Sequence, residues 1–376
     1  MDLASEDSFR LNVLLANKPK AIRIDESKLI VYGLSDKGEA KVELKPTGRP
    51  EQYLRAVKEL ISGHILGSPG GYPVYLKRWT RMGQMRDESL EQLLMLGEPE
   101  AVVAAVGSPG LTEELARRAW WAMEDADNAR RMLQNPNIVA SGMGPVLAEY
   151  VLDYLPFETE TDRQTDSVRL ILQPGLLEPA KVEDLWSKSG RKQAYLVGFL
   201  QALPDALPQP SAPRDDRQRL ADQLEPLADD GNPVAGLLLR ATSGPGQAYL
   251  ETVATVLDKP PNQDVVTATF DCLRAYFAPL RPAGEPKLPL LDVQAEAAAF
   301  ADGDGAPTAV TEVLALCPQL RDDIAAMRIL SGVGYGVIRP VLSDPTTLGS
   351  LMRRRLKPIM DPIQAQLVQL RTAVGS

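Results

Sequence analysis

The chain has 376 residues, of which 44% are hydrophobic and 24% charged, and its 50 acidic residues outweigh 41 basic ones to give a net charge of −9. These values are typical of a folded protein with two or three domains, so they exclude a fibre and a wholly disordered chain. The negative charge also argues against a dedicated nucleic-acid binder, since neutralising phosphates needs clustered Lys and Arg.

Two cysteines and a single histidine, His64, narrow the chemistry further. Two cysteines build neither a disulfide framework nor a four-cysteine zinc site. One histidine excludes HExxH and three-histidine metal sites. No run of about 18 apolar residues occurs, so no membrane span is predicted. The acidic start, Met1–Asp7, is no export signal, and we expect a cytoplasmic protein without metal or cofactor.

The first fifty residues predict three short strands. Apolar and polar residues alternate over Lys20–Asp25 and Glu39–Lys45, and Leu29–Tyr32 is a continuous apolar run between them. Turn residues separate the three runs, which favours an antiparallel meander. One face of such a sheet needs a helical cover, and Pro50–Ile61 has apolar residues at helical spacing.

From Asp87 onward the pattern changes to many short amphipathic helices joined by Gly and Pro loops. Thr112 can cap a helix over 113–123, and Ser141 can cap one that reaches Leu155. The last helix is predicted to open at Asp361-Pro362, an N-cap followed by proline at the first helical position. We therefore predict a mainly α protein, an irregular array of helical hairpins or a bundle, with a small N-terminal α+β domain.

The predicted domain organisation has four parts. Residues 204–216 contain four prolines and no apolar stripe, which is typical of a linker. The predicted parts are a small α+β domain over 1–86, a first helical segment over 87–203, the proline-rich linker over 204–216 and a second helical segment over 217–376.

A glycine-rich connector followed by basic residues is the candidate binding site. Its backbone N–H groups could cradle an anion, and the mixture of basic and aromatic residues resembles surfaces that bind single-stranded nucleic acid. It lacks the spacing of a nucleotide-binding P-loop. A structural turn followed by a solvated basic face is the simpler interpretation. The candidate residues are Gly67, Gly70, Gly71, Lys77, Arg78, Trp79, Arg81 and Arg86.

Reactive groups are few. His64 lies at the predicted end of a helix, where the helix dipole favours a basic residue, and the sequence offers it no nucleophile or orienting carboxylate. Cys272 has the surroundings of a core thiol. Cys317 precedes Pro318 at a helix junction, where partial exposure would make it a candidate reactive thiol. We assign no catalytic residue, and the expectation leans toward a protein that is not an enzyme.

Two stretches together resemble a known family. They are Leu11–Gly48 and Ser62–Leu133, the second containing SGHILGSPGGYPVYLKRWTRMGQ and LARRAWWAMEDADNARRML. They are similar to the DsrS family, cytoplasmic proteins encoded beside the reverse-acting dissimilatory sulfite reductase of sulfur-oxidising bacteria. The similarity covers roughly the first 200 residues.

The resemblance implies a process and no reaction. It points to an accessory or regulatory component of cytoplasmic sulfur oxidation, and it carries no catalytic residues with it. Its protein partners would be the sulfite reductase or sulfur-relay proteins. Two alternatives stay open at this stage. They are RNA or anion sensing through Gly67–Arg86, with RNA the less favoured partner, and sulfur carriage on Cys317.

Overall fold

The structure is a computed structural model, and it describes residues 3–73, 87–281, 288–302, 306–341 and 349–373, with side chains except those of residues 87–89. The fold is mainly α with one small antiparallel sheet near the N-terminus, as predicted. The chain divides into two compact units, one formed by Met1–Pro156 with Gln173–Leu177 and the other by Phe157–Leu172 with Glu178–Ser376.

The sheet of the first unit has the predicted meander. Strands β1 (Ala21–Asp25), β2 (Ile30–Ser35) and β3 (Gly38–Glu43) lie in that order, each antiparallel to the next. Helices α1 (Ser5–Ala16) and α2 (Pro50–Leu66) bury their apolar residues in one core with those of the strands. Buried apolar area of this kind supplies the main driving force for folding.

Six further helices of the first unit lie within the described residues. The positions of two of them were predicted closely. Thr112 caps its helix as predicted, because its Oγ1 accepts the N–H of Leu115 at 3.3 Å. Ser141 accepts the N–H of Met143 at 3.2 Å, one position before the N-cap residue Gly142. The six are α3 (Asp87–Leu94), α4 (Pro99–Val106), α5 (Glu113–Ala122), α6 (Ala126–Met132), α7 (Pro136–Val139) and α8 (Met143–Tyr154).

Within the part of the chain that the structure describes, the regular secondary structure of the second unit is entirely helical, and one large hydrophobic core runs through it. Its helices are α9 (Thr161–Ile171), α10 (Pro179–Ser189), α11 (Gln193–Ala202), α12 (Arg217–Asp229), α13 (Pro233–Thr242), α14 (Gly244–Asp258), α15 (Gln263–Tyr276), α16 (Leu290–Ala301), α17 (Thr308–Leu316), α18 (Arg321–Ser331), α19 (Tyr335–Ile338) and α20 (Gly349–Arg371). Short 3₁₀ turns lie at Leu155–Phe157, Ala278–Leu280 and Pro318–Leu320.

The division into two units does not coincide with the predicted boundaries at residue 86 and at 204–216. The proline-rich segment lies inside the second unit, and a buried arginine near its end holds it there. Arg214 donates two hydrogen bonds to Asp216, at 2.7 and 3.0 Å, and a third to Asp323 of α18 at 2.8 Å. Its side chain and that of Asp323 are 1% and 0% exposed. Proline content alone therefore does not identify a spacer.

The C-terminal helix differs from the prediction in its starting point. It was expected to open at Asp361, but α20 runs unbroken from Gly349 through Pro358 and Pro362 to Arg371. A proline inside a helix loses one backbone hydrogen bond and is normally disruptive. Here one face stays buried along the helix, against α18 and α14, and this packing outweighs the local preference. The buried residues are Met352, Leu356, Ile359, Met360, Ile363, Leu367 and Leu370.

Removing the buried guanidinium should destabilise the second unit. Arg214→Met leaves the fully buried Asp323 carboxylate without its cation, and we expect the free energy of unfolding to fall by about 3–5 kcal/mol. Arg214→Lys keeps the positive charge but loses the bidentate geometry, so its free energy of unfolding should lie between those of the wild type and Arg214→Met. Urea unfolding followed by tryptophan fluorescence measures the effect. The matched control, Lys188→Ala, removes an exposed ion pair with Asp184 and should cost less than about 0.5 kcal/mol. Equal effects for Arg214→Met and the control would contradict the anchoring role.

A second prediction concerns the close crossing of α9 and α11. A Cβ on Gly198 would lie 2.6 Å from Val168 Cβ and 2.9 Å from the backbone oxygen of Thr165. Gly198→Ala should therefore lower the free energy of unfolding by about 1–3 kcal/mol, since two packed helices must move apart. Gly236→Ala in α13 meets nothing within 4 Å and should instead raise it by up to about 1 kcal/mol. Thermal and urea unfolding of both variants test the contrast, and stabilisation by Gly198→Ala would show that the crossing is not tight.

Candidate functional site

The glycine connector uses two of its backbone donors, the N–H groups of Gly71 and Tyr72, within the protein. Gly67 ends α2 in the left-handed conformation, with a φ of 67°. Ser62 accepts the N–H of Gly71 at 2.8 Å and donates to the carbonyl of Ser68 at 2.9 Å. Glu98 accepts the N–H of Tyr72 at 3.2 Å. These N–H groups already have acceptors, so an anion would have to displace protein oxygens to reach them.

The acid beside the connector further disfavours an anion. A Cβ on Gly71 would lie only 1.8 Å from Glu98 Oε1, so glycine is required where the two meet. Burial raises the pKa of Glu98. Gly70 is exposed on the same turn. The remaining candidate residues, Lys77, Arg78, Trp79, Arg81 and Arg86, lie outside the described residues, so their convergence on a ligand stays a prediction.

A cavity of about 410 Å³ lies beside β1 in the first unit. Arg23, at its edge, has its guanidinium 4.6 Å from the ring centre of Tyr32 and 5.0 Å from that of Trp121. It also donates to the carbonyl of Trp121 at 3.3 Å. Glu39 accepts the indole N–H of Trp121 at 2.9 Å and lies 3.6 Å from Arg23. The Arg23 guanidinium is thus held by contacts within the first unit.

The lining of that cavity does not select a ligand. Besides Arg23, it contains Lys28 on the basic side and Asp25 and Glu98 on the acidic side. The two signs balance, and Asp25 already accepts hydrogen bonds from Ser27 and from the N–H of Lys28, which lower its pKa. We interpret the cavity as a gap beside the sheet whose polar groups serve the fold.

Both thiols are buried. The pKa of Cys272 is raised by burial to about 12. Cys317 lacks the partial exposure that would make it a candidate reactive thiol, because the residue is 0% exposed. Its thiol donates to Gln223 at 3.1 Å, and burial raises its pKa as well. Sulfur chemistry needs an accessible thiolate, so the native environment of both residues opposes it.

His64 is exposed in the last turn of α2, the position at which the helix dipole favours a basic side chain. Among the described residues, no group of three or more His, Cys, Asp or Glu side chains is placed to hold a metal ion.

The second unit contains a groove made of three cavities that meet at Glu251. Three adjoining cavities of about 400, 420 and 590 Å³ share this residue. The first lies between α10, the proline-rich segment and α14; the second and third lie between α14 and α20. Ser211 and Arg371 mark the points where one cavity passes into the next. We call this feature the Glu251 groove.

Several polar side chains of the Glu251 groove donate their hydrogens to the protein itself. Ser211 donates to the Glu251 carboxylate at 3.1 Å. Three threonines donate to the carbonyl four residues earlier in their own helices, and the side chains of two glutamines donate to backbone carbonyls. The oxygen lone pairs of these side chains remain as acceptors, whereas Arg371 brings N–H donors to the same lining. The threonines and glutamines are Thr252, Thr255, Thr372, Gln247 and Gln364.

The charges of the groove have the same character. Three carboxylates line it, Glu251, Asp258 and Asp361, against one guanidinium, Arg371. Arg371 lies 3.6 Å from Glu251, and both side chains are partly exposed. The lining therefore carries two more carboxylates than cations, and one of the carboxylates, Asp258, also lies 3.5 Å from Lys259 outside the lining. Such a surface favours a cationic ligand that is rich in N–H donors.

The sequence carries only a weak sign of this groove. The apolar stripe of α14 is predictable from spacing, and its polar complement places Gln247, Glu251, Thr255 and Asp258 on the other side. A polar helix face is usually solvated and has no further meaning. Its significance here depends on the proline-rich segment opposite, which the sequence pattern did not place.

Comparison with family models, with curated proteins and with solved structures found no match to this chain. The resemblance to the DsrS family therefore stays a prediction from the residues quoted above. In the part of the chain that the structure describes, no helix combines the length and the apolar character needed to cross a bilayer.

Thiol reactivity tests the environment found for the cysteines. We expect native protein at pH 8 to react very slowly with Ellman's reagent, because both thiols are buried and raised pKa values keep them protonated. In guanidinium chloride both should react at once, since unfolding returns them to ordinary pKa values. Cys317→Ser should remove one of the two equivalents released after unfolding. Rapid release of one equivalent by the native protein, lost in Cys317→Ser, would restore the sulfur-carrier alternative.

Proposed function

We propose that the protein is an accessory or regulatory interaction protein of cytoplasmic sulfur oxidation, without catalytic activity of its own, which acts on the dissimilatory sulfite reductase system by binding protein partners. The observation that carries the binding role is the Glu251 groove, in which three cavities open side by side along one helix. The process comes from the resemblance of the first 200 residues to the DsrS family.

The shape of the groove supports binding rather than chemistry. Catalysis requires a reactive group held in position beside a substrate. The groove instead presents carboxylates and hydroxyl oxygens spread along α14, with Glu251 itself bonded to Ser211 and close to Arg371. Spread-out acceptors of this kind suit the recognition of another chain, which makes many modest contacts over a long surface.

The alternative functions have less support. Sulfur carriage on Cys317 conflicts with the complete burial of that thiol. Anion binding at the connector competes with Ser62 and Glu98 for the backbone N–H groups. The excess of carboxylates in the Glu251 groove would repel RNA there. Binding of a protein partner is the function that the described residues favour.

The proposal predicts an identifiable partner. Tagged full-length protein, used as bait in extracts of sulfur-oxidising cells grown on reduced sulfur, should retain subunits of the sulfite reductase or sulfur-relay proteins identified by mass spectrometry. Purified reductase or relay protein should then bind the purified chain in a biosensor assay, whereas an unrelated acidic helical protein used as control should not.

Two results would contradict the proposal. One is the absence of binding to every purified component of the sulfite reductase system. The other is turnover of a sulfur compound by the purified protein that is lost in His64→Ala, because this would make the protein an enzyme.

A further inference from the structure

We propose that the Glu251 groove binds an extended polypeptide segment of a partner protein and that a lysine or arginine side chain of this segment pairs with Glu251. This inference rests on the proposed binding function and gives the chemistry of the partner's contact. It follows from the length of the groove, the direction of its hydrogen bonds, its charge and the rigidity of its wall.

The length of the groove matches a short extended chain. Its lining positions on α14 run from Gln247 to Asp258, which is about 16 Å of helix at about 1.5 Å per residue. An extended chain rises about 3.3 Å per residue, so about five residues fit along this face. The first cavity extends the path beyond Thr252 to Trp186, and an apolar side chain of the segment can pack there.

The groove is too open to suit a small compound. A site for a small molecule encloses most of the ligand's surface. Here Glu251, with about half of its side chain exposed, forms part of the floor of all three cavities. Val368, 57% exposed, lies on the side of α20. A polypeptide gains affinity from many shallow contacts of this kind.

The hydrogen-bond direction selects a donor. The hydroxyls of Thr252, Thr255 and Thr372 donate to their own helices, so an incoming group finds acceptors. Peptide N–H groups, the lysine ammonium and the arginine guanidinium are all donors. An acidic segment would bring more acceptors and more negative charge, and Arg371 is the one charged side chain of the lining that could donate to it.

Glu251 is the point where the cationic side chain would lie. It is the residue common to all three cavities, and its present cationic neighbour, Arg371, is 3.6 Å away and partly exposed. A separation of this length leaves the carboxylate able to form a shorter, charge-assisted hydrogen bond with a second cation. Asp361 and Asp258, farther along the groove, supply further negative charge, although Asp258 already lies 3.5 Å from Lys259.

One wall of the groove is fixed before any partner arrives. Ser211 and Ala212 belong to the proline-rich segment, whose prolines restrict the backbone. Two residues later, Arg214 joins the segment to α18 through Asp323, and its backbone N–H donates to Thr242 of α13 at 3.0 Å. A wall held in place reduces the entropy lost on binding.

An oriented peptide library provides the test. Immobilised nonapeptides with Lys, Arg, Gln or Glu fixed at the centre and mixed residues elsewhere are incubated with the full-length protein. We expect retention on the Lys and Arg sets and little on the Gln and Glu sets. The best basic peptide, synthesised with a fluorescent label, gives a dissociation constant by anisotropy, which should weaken as the salt concentration rises.

Variants locate the contact. Glu251→Gln keeps an oxygen that can accept from Ser211 but loses the charge, and it should weaken the binding of the labelled peptide several-fold. Glu251→Lys places like charges together and should weaken it by about tenfold or more. The control is Glu225→Lys, the same charge change at an exposed position of α12 outside the groove lining, which should leave the dissociation constant unchanged. Circular dichroism and thermal unfolding establish that the three variants are folded.

Several results would overturn the inference. They are equal retention of the four peptide sets, preference for Glu, no binding of any set, and equal affinity for wild type and folded Glu251→Lys. Displacement of the bound peptides by spermidine, together with equal retention of the four peptide sets, would mean that the groove binds free polyamines instead.

Failure of this inference can be distinguished from failure of the proposed function. A sulfite reductase component that binds wild type and Glu251→Lys equally removes the inference alone, whereas selection of basic peptides without binding to that system removes the proposed process alone.

Discussion

The ionic contact between Arg214 and Asp323 is the constraint on which the second unit depends. Moving an ion out of water costs several kcal/mol, and the cost is recovered only when the partner groups are placed well. Here they are, because Asp216 accepts from Nε and Nη2 of the guanidinium, Asp323 accepts from Nη1, and Gln369 donates to the other oxygen of Asp323 at 2.8 Å. Burial raises the pKa of Asp323, and the guanidinium of Arg214 opposes that effect. The contact joins an irregular segment to α18 and α20, which hydrophobic packing alone would not specify.

This anchor connects fold stability with the candidate site. The proline-rich segment has few apolar residues to bury, so its position over α14 depends on polar contacts. Arg240, in α13, makes a second one: it donates two hydrogen bonds of 2.7 Å to Asp205, and its guanidinium lies 3.8 Å from the ring centre of Tyr276. The segment is thus attached near both of its ends, and Ser211 lies between the attachments. A wall of this kind can be irregular and still be rigid, which a groove for a flexible partner requires.

Periodicity predicted the elements of the fold better than it predicted their arrangement. The three strands, the helix opening at Pro50 and the cap at Thr112 follow from local spacing and local hydrogen bonds, and the structure has them. The starting point of α20 could not be predicted in this way. Pro362 is a local signal, and the buried face that overrides it depends on packing against α18. Residues 204–216 were interpreted as a linker because proline content is local too, whereas the partner of Arg214 is more than a hundred residues away. The Glu251 groove was out of reach for the same reason.

The use of hydrogen-bond donors inside the protein determines what each candidate surface can recognise. A glycine loop favours anions only if its N–H groups are free, and here Ser62 and Glu98 accept from the loop. A threonine can donate or accept, but on a helix its hydroxyl can donate to the carbonyl four residues back. Thr252 and Thr255 do so, which leaves their lone pairs for a ligand. Composition does not distinguish these cases, since glycine loops and threonine faces occur in both. The direction of each internal bond does, and it disfavours an anion at the N–H groups of Gly71 and Tyr72 and favours a cationic donor in the Glu251 groove.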